Sequence, residues 1–270
     1  MTRVAVATTS QLAADGANEV AGLGGNAVDC ALAAALTTMN TEPGVCALAG
    51  SAFITIWRPD ENPVTIDGNV AAPGLGLAEA ERGQGAQRVT LDYGGGITTL
   101  VGSGSVAVPG SLAAIERAWQ LFGSARWSDL FVPVIRATRE GFPLSRACHY
   151  YLGFSGKPIF DRSQDGFDAL HDADGQLCKQ GDLIVVPHLA DSLSAIADEG
   201  SQVFYRGELG RRISEHVRDA GGGLTREDLE CFAAVERPSL TVGIGDWTIA
   251  STPPPAIGGS VLSAMLLACK

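Results

Sequence analysis

The spacing of apolar residues along the chain predicts a mixture of helices and strands. The clearest helix is predicted for residues 26–39, because Val28, Leu32 and Leu36 recur at helical spacing. Asn26 is a good N-cap residue, and Asp29 stands where the acid of a capping box reaches back to the cap. This pattern describes a buried, closely packed helix and supplies no reactive group.

Helical and strand patterns alternate along the rest of the chain. Apolar, β-rich runs predict strands at residues 4–7, 52–57, 64–67, 183–186, 239–242 and 247–250. Helical periodicity predicts helices that start at Pro109 and that span residues 127–140, 189–198, 208–220 and 226–230. Residues 72–104 are rich in glycine and are predicted to form a long loop, and residues 143–187 are less regular. Neither an all-α nor an all-β class fits, so the sequence predicts one layered α/β or α+β domain.

Composition and charge exclude several classes of partner. The chain has 270 residues and a formal net charge of -11, and no cluster of Lys and Arg of the kind that binds phosphates. We therefore expect neither nucleic acid nor an anionic membrane as a partner, and no run is long enough for a transmembrane helix. The N-terminus lacks the pattern of a signal peptide, which favours a cytoplasmic protein unless a leader has been removed.

Six cysteines and four histidines are scattered along the chain. Their spacing does not match a zinc site, so we expect free thiols, no bound metal and no cofactor. The residues alone leave open a catalytic pair of one cysteine and one histidine.

Three short motifs favour structural interpretations. Residues 153–158 resemble a phosphate loop, but Pro158 follows Lys157 where the motif needs Ser or Thr. Residues 172–175 resemble part of a calcium loop, yet the first ligand position falls on Leu170, so a turn is favoured. The three prolines at 253–255 are interpreted as a rigid corner rather than a docking peptide.

A longer set of motifs resembles the γ-glutamyltransferase family. The run Gly-Gly-Asn-Ala-Val-Asp at residues 24–29 is very similar to a signature near the mature N-terminus of that family. Further similar segments follow in the family's order at residues 41–43, 50–53, 108–110, 133–137, 140–142, 204–207, 224–229, 253–255 and 258–259. The resemblance therefore covers essentially the whole chain, as a single domain of residues 1–270 that corresponds to a portion of the family's large subunit.

This resemblance implies an N-terminal nucleophile hydrolase, an α+β fold in which two stacked sheets are covered by helices (an αββα sandwich). In such enzymes a zymogen cleaves itself before a threonine, whose freed α-amino group then activates its own hydroxyl for attack on an amide. The typical acyl group is the γ-glutamyl unit of glutathione. The nucleophilic Thr belongs to a small subunit, so we expect a heterodimer, a small-molecule amide substrate, no catalytic residue in this chain, and no amidase activity from the chain alone.

One position departs from the family pattern. Where the family's large subunit has an arginine that binds the substrate's α-carboxylate, this chain has Asn69, which the resemblance marks as the substrate-binding residue. A neutral amide replaces a permanent charge, and Arg58 or Arg82 could compensate in space. Two alternatives stay open: an amidohydrolase or acylase of the same superfamily that acts on another amide, and a catalytically silent fragment or binding subunit.

Overall fold

A computed structural model describes residues 3–268. The α-helices are α1 Gln11–Gly22, α2 Ala27–Thr41, α3 Ser111–Phe122, α4 Val132–Glu140, α5 Arg146–Ile159, α6 Gln164–Leu170, α7 Leu189–Glu199, α8 Gln202–Tyr205, α9 Glu208–Asp219, α10 Arg226–Cys231 and α11 Ile257–Ala268. The strands are β1 Ala52–Ile56, β2 Val64–Gly68, β3 Gln87–Leu91, β4 Ile97–Val101, β5 Phe142–Pro143, β6 Leu183–Ile184, β7 Val235–Pro238, β8 Leu240–Ile244 and β9 Trp247–Ser251. Among the described residues, helices and antiparallel strands form an α+β fold, as expected.

The sheet that positions the candidate site has three antiparallel strands in the order β1-β2-β7. Its two faces differ because successive side chains of a strand point to opposite sides. Ile56 and Ile66 belong to the main hydrophobic core, together with Leu112 and Ile115 of α3, and α3 packs on β1 and β2. Asp67, one residue beyond Ile66, therefore lies on the face that points away from α3.

A pair of glycines brings the end of β2 against the start of α3. A β-carbon on Gly68 would lie 2.5 Å from the Ala114 β-carbon and 2.5 Å from the Gly110 carbonyl oxygen. Real side chains do not tolerate such distances, because carbon atoms in contact stay about 3.5–4.0 Å apart. This close contact fixes the position, relative to α3, at which the backbone leaves β2 and continues to Asn69.

Several predicted elements are confirmed. Helix α2 begins after Asn26, whose side chain accepts from the backbone of Val28 and Asp29 in a complete capping box. Strands β1 and β2 form the predicted hairpin, and β8 pairs with β9 as predicted. Helices α7, α9 and α10 match their predicted positions within a few residues, and residues 172–175 form the predicted turn.

Other predictions are corrected by the structure. Residues 4–7 form no strand and pair with none in the described part of the chain; Val4 and Val6 instead pack on the buried alanines of α1 and α2. The predicted loop at residues 72–104 contains the β3–β4 hairpin. The predicted helix at 127–140 is a 3-10 turn followed by α4.

Two stretches hold helices that were not predicted. Helix α1 starts after the N-cap Ser10, and α5 and α6 lie within the irregular stretch 143–187. The phosphate-loop-like residues 153–158 lie inside α5, so they form no phosphate loop.

The C-terminal helix α11 packs on β8 and β9 and leaves apolar side chains exposed, among them Val261 and Met265. The apolar sequence of residues 260–270 predicts exposed apolar surface there, and residues 269 and 270 lie outside the described part of the chain. No helix within residues 3–268 is both long enough and apolar enough to cross a membrane.

Candidate active-site wall

Asn69 follows β2 directly and is held by hydrogen bonds from two sides. Its backbone N–H donates to Asp67 Oδ1 at 2.9 Å. Its side-chain oxygen accepts from the Ser51 hydroxyl at 3.1 Å, and the same hydroxyl oxygen accepts from the backbone N–H of Val70 at 3.2 Å. Since the oxygen of the Asn69 amide is engaged, its NH₂ group is the part that can donate to a ligand.

Asp67 joins Asn69 to a residue from the far end of the chain. Its side chain is only 6% exposed, and its Oδ2 accepts from Arg237 Nε at 2.7 Å. Arg237 lies on β7 directly opposite Thr65, so it is the diagonal neighbour of Asp67 on the same face of the sheet. A buried carboxylate thus holds both the backbone of Asn69 and the guanidinium of Arg237.

These residues line a cleft of about 490 Å³, which we call the Asn69 cleft. Its lining includes the polar groups of Asp67, Asn69, Asp228 and Arg237, together with apolar side chains such as Val108 and Phe232. Concave sites with a few convergent polar groups are typical of small-molecule binding.

One side of the Asn69 cleft is fixed by Asp228, the acid of the α10 capping box. Its carboxylate is buried and accepts from the backbone N–H groups of Gly74 and Leu75 at 2.8 and 3.0 Å. It also accepts from the backbone and hydroxyl of Thr225. Asp228 therefore ties residues 74–75 to the start of α10, and its acceptor capacity is largely used within the protein.

The two arginines that could have compensated for Asn69 do not line the cleft. Arg58 pairs with Glu61 and lies over the Phe122 ring, with 5.1 Å from its guanidinium carbon to the ring centroid. Arg82 donates to the carbonyl oxygen of Leu77. Arg237 is not marked by the sequence, because it is 170 positions from Asp67 and no local pattern indicates the pairing.

The described cysteines and histidines form no catalytic pair. Among residues 3–268, Cys30, Cys46, Cys148, Cys178 and Cys231 are free thiols. Burial, reinforced by Glu42, raises the pKa of Cys46 to about 11, and a thiol with a raised pKa is a poor nucleophile at neutral pH. His149 contacts a cysteine, but its Nδ1 lies 3.1 Å from the backbone oxygen of Cys178 and does not contact the sulfur.

The helix that carries the family-like signature has a structural role. Asp29 is fully buried, and its carboxylate accepts from the backbone of Asn26. It also accepts from the backbone and hydroxyl of Ser124 and from the backbone of Ala125. The signature therefore joins the start of α2 to residues 124–125 and takes no part in the cleft.

A second, larger cavity of about 690 Å³ lies between the end of α2 and helices α5, α7 and α9. Its lining is mostly apolar, and Cys46 is the one ionisable residue on it within the described chain. It offers no charged group to orient a polar substrate, so the Asn69 cleft is the better candidate for chemistry. Residues 3–268 contain no group of three His, Cys, Asp or Glu side chains arranged to hold a metal ion.

The α+β fold is that of the N-terminal nucleophile hydrolases, as the similarity to two solved gamma-glutamyltranspeptidases shows. The structure superposes on Helicobacter pylori gamma-glutamyltranspeptidase with a TM-score of 0.83 at 25% identity, covering 98% of this chain and 74% of that one. It superposes on the Pseudomonas nitroreducens gamma-glutamyltranspeptidase complexed with L-DON with a TM-score of 0.78 at 28% identity, covering 96% and 73%. A cephalosporin acylase from Bacillus halodurans gives a TM-score of 0.73 at 26% identity, covering 90% and 44%.

The family model described as Gamma-glutamyltranspeptidase matches residues 13–270, and the chain belongs to that family. It is 30% identical to glutathione hydrolase 2 of Arabidopsis thaliana over 90% of this chain and 40% of the relative. It is also 30% identical to the glutathione hydrolase proenzyme of Escherichia coli over 94% of this chain and 42% of the relative. The chain thus spans about 40% of the length of these relatives.

Proposed function

We propose that residues 1–270 form a single domain that acts as the large-subunit portion of a γ-glutamyltransferase-like enzyme. Its contribution is one wall of the substrate site, the Asn69 cleft, and the scaffold behind it. The observation that carries this proposal is the family match across residues 13–270, combined with a span of only about 40% of relatives that include a proenzyme. The partner is a small subunit that carries an N-terminal nucleophilic threonine.

The proposed reaction is acyl transfer from a γ-glutamyl amide of the glutathione type. The threonine hydroxyl attacks the amide carbonyl while the threonine's own α-amino group takes the hydroxyl proton. The C–N bond then breaks, the amine leaves with that proton, and an ester links the acyl group to the threonine. Water or an acceptor amine resolves the ester, which gives hydrolysis or transfer.

Within this scheme Asn69 is a substrate-binding residue. Ser51 occupies the oxygen of its amide, so the amide NH₂ is oriented to donate to an acceptor in the cleft. A hydrogen bond from a neutral donor is weaker than one from a guanidinium. The chain therefore needs a further group to bind a substrate carboxylate strongly.

The neutral Asn69 favours a second candidate function, an acylase or amidohydrolase that acts on a non-γ-glutamyl amide. The similarity to a cephalosporin acylase is compatible with it. A third candidate, a catalytically silent binding subunit, makes the simplest prediction, which is no turnover of any amide.

One experiment separates the three. The chain is tagged in its own cells and purified with whatever subunit accompanies it, and release of product from a γ-glutamyl anilide is compared with release from amides that carry other acyl groups. The proposed function predicts turnover of the γ-glutamyl anilide. Turnover of the other amides alone would establish the acylase alternative, and no turnover at all would establish the silent subunit.

A further inference from the structure

We propose that Arg237 is the carboxylate-binding residue of the Asn69 cleft, and that it supplies from β7 the positive charge that position 69 lacks. Asp67 acts as its positioning residue. The acyl donor is accordingly an amide whose acyl part carries a free carboxylate. This inference rests on the proposed function and names the substrate class of the same site.

Arg237 is held in place by the buried carboxylate of Asp67. Its Nε donates to Asp67 Oδ2 at 2.7 Å, while Asp67 Oδ1 is occupied by the backbone N–H of Asn69. Because Asp67 is only 6% exposed and sits on a sheet strand, this bond fixes one edge of the guanidinium. A donor fixed in this way loses less conformational freedom when it binds a ligand.

Most of the N–H donors of Arg237 remain available to a ligand. The guanidinium carries five N–H donors in a planar fork that suits a carboxylate. Within residues 3–268 the bond to Asp67 is the one hydrogen bond that Arg237 makes through its side chain, which leaves the two terminal nitrogens without a protein acceptor. The side chain is 37% exposed and lines the cleft, so those nitrogens are accessible to a ligand.

The distribution of charge in the Asn69 cleft favours an anionic ligand. Arg237 is the one cation among the described residues that line the cleft. The acids there are already engaged: Asp67 by Arg237 and Asn69, and Asp228 by backbone and hydroxyl donors of residues 74, 75 and 225. Glu236, the residue before Arg237 on β7, points to the other face of the sheet and accepts from Arg117 Nε at 2.8 Å. A carboxylate that enters the cleft therefore meets the positive charge of Arg237, whose partner Asp67 is buried.

Arg237 and Asn69 can share one ligand, because Asp67 links the two residues and both line the same cleft. A carboxylate on the guanidinium fork would have the amide NH₂ of Asn69 as a neutral second donor. Acyl groups without a carboxylate would leave the terminal nitrogens of Arg237 without a charged partner. The arrangement therefore discriminates against uncharged acyl groups.

The test compares two ligands that differ only in the carboxylate. The protein, purified from its own cells with its accompanying subunit, is titrated calorimetrically with L-glutamate and with its α-carboxamide. The wild type is expected to bind L-glutamate about 10- to 100-fold more tightly, the range for hydrogen bonds to a charged group. In Arg237→Gln this preference should fall to about threefold or less, and Arg237→Lys should keep an intermediate preference because it retains the charge but not the fork.

The matched control is Arg117→Gln, which removes an arginine of similar exposure that pairs with the exposed Glu236 on the opposite face of the same sheet. It should leave the preference unchanged, and thermal unfolding shows whether each variant is folded. If Arg237→Gln does not fold, Arg237→Lys decides, since a preference equal to that of the wild type would overturn the proposal. A wild type without preference, or an Arg237→Gln variant that retains it, also overturns the proposal.

The proposed function is tested in the same preparations through turnover of the γ-glutamyl anilide. Retained carboxylate preference without turnover would remove the proposed function and leave the role of Arg237 intact. Turnover with unchanged KM in Arg237→Gln would remove only the role of Arg237.

Discussion

Replacing Gly68 by alanine tests how tightly the glycine contact joins β2 to α3, beside Asn69. The added methyl group would lie 2.5 Å from the Ala114 β-carbon and from the Gly110 carbonyl oxygen. A normal carbon–carbon contact needs about 3.5–4.0 Å, so strand and helix must separate by about 1 Å. Overpacking of this kind costs about 1–3 kcal/mol. Because one obstacle here is backbone, we expect Gly68→Ala to lower the free energy of unfolding by about 3 kcal/mol.

Urea unfolding at equilibrium, followed by circular dichroism, measures this change. Gly153→Ala is the matched control, because Gly153 lies inside α5 and a β-carbon there would meet no atom within 4 Å. That substitution should raise the free energy of unfolding by about 0.5–1 kcal/mol, since glycine is the poorer residue in a helix. If both variants stabilise the protein, or if Gly68→Ala leaves its stability unchanged, the glycine contact does not have the role assigned to it.

Three further predictions concern other parts of the chain. Asp29→Ala should lower the free energy of unfolding by about 3–5 kcal/mol, because it leaves several backbone N–H groups without an acceptor. As a control, Asp172→Ala removes an exposed turn acceptor and should lower the free energy of unfolding by about 1 kcal/mol or less in the same assay. Iodoacetamide at pH 8 should label exposed Cys231 first, and labelling of half-buried Cys46 should accelerate as the pH rises toward its pKa of about 11. Rapid labelling of Cys46 at pH 8 would contradict this raised pKa. Asn69→Ala should raise KM for a γ-glutamyl anilide about three- to tenfold, as expected for one neutral hydrogen bond, and an unchanged KM would remove Asn69 from the site.

Elements with strong local signals could be predicted from the sequence. The start of α2 is encoded by Asn26 and Asp29 within four positions, and the structure completes that capping box. The hairpin of β1 and β2 is encoded by two apolar runs around a turn with two prolines. In such cases the information lies within a few residues, so tertiary packing had little to add.

Elements with weak or conflicting local signals were missed. Helix α5 contains Gly153, Gly156 and Pro158, which disfavour a helix, and its stability comes from packing through Cys148 and Leu152 in a second hydrophobic cluster. The β3–β4 hairpin is hidden by the glycines at 94–96, which supply the positive φ angles of its turn. Local propensity gave the wrong answer where tertiary contacts decide.

The candidate site shows the same division. Asn69 could be proposed from the sequence because it lies in a motif that resembles the family pattern. Arg237 could not, because its relation to Asp67 depends on the register between β2 and β7. The identity of the strand that supplies the charge is therefore information that only the folded chain provides.

The central claim is that this chain provides the carboxylate-binding wall of an acyl transferase and takes its nucleophile from a partner subunit. The most direct measurement is hydrolysis of a γ-glutamyl anilide by the 270-residue chain alone and by the protein purified with its accompanying subunit. We predict turnover by the assembled protein and none by the chain alone. Turnover by the purified chain alone would contradict the claim, because the nucleophile would then lie within these 270 residues.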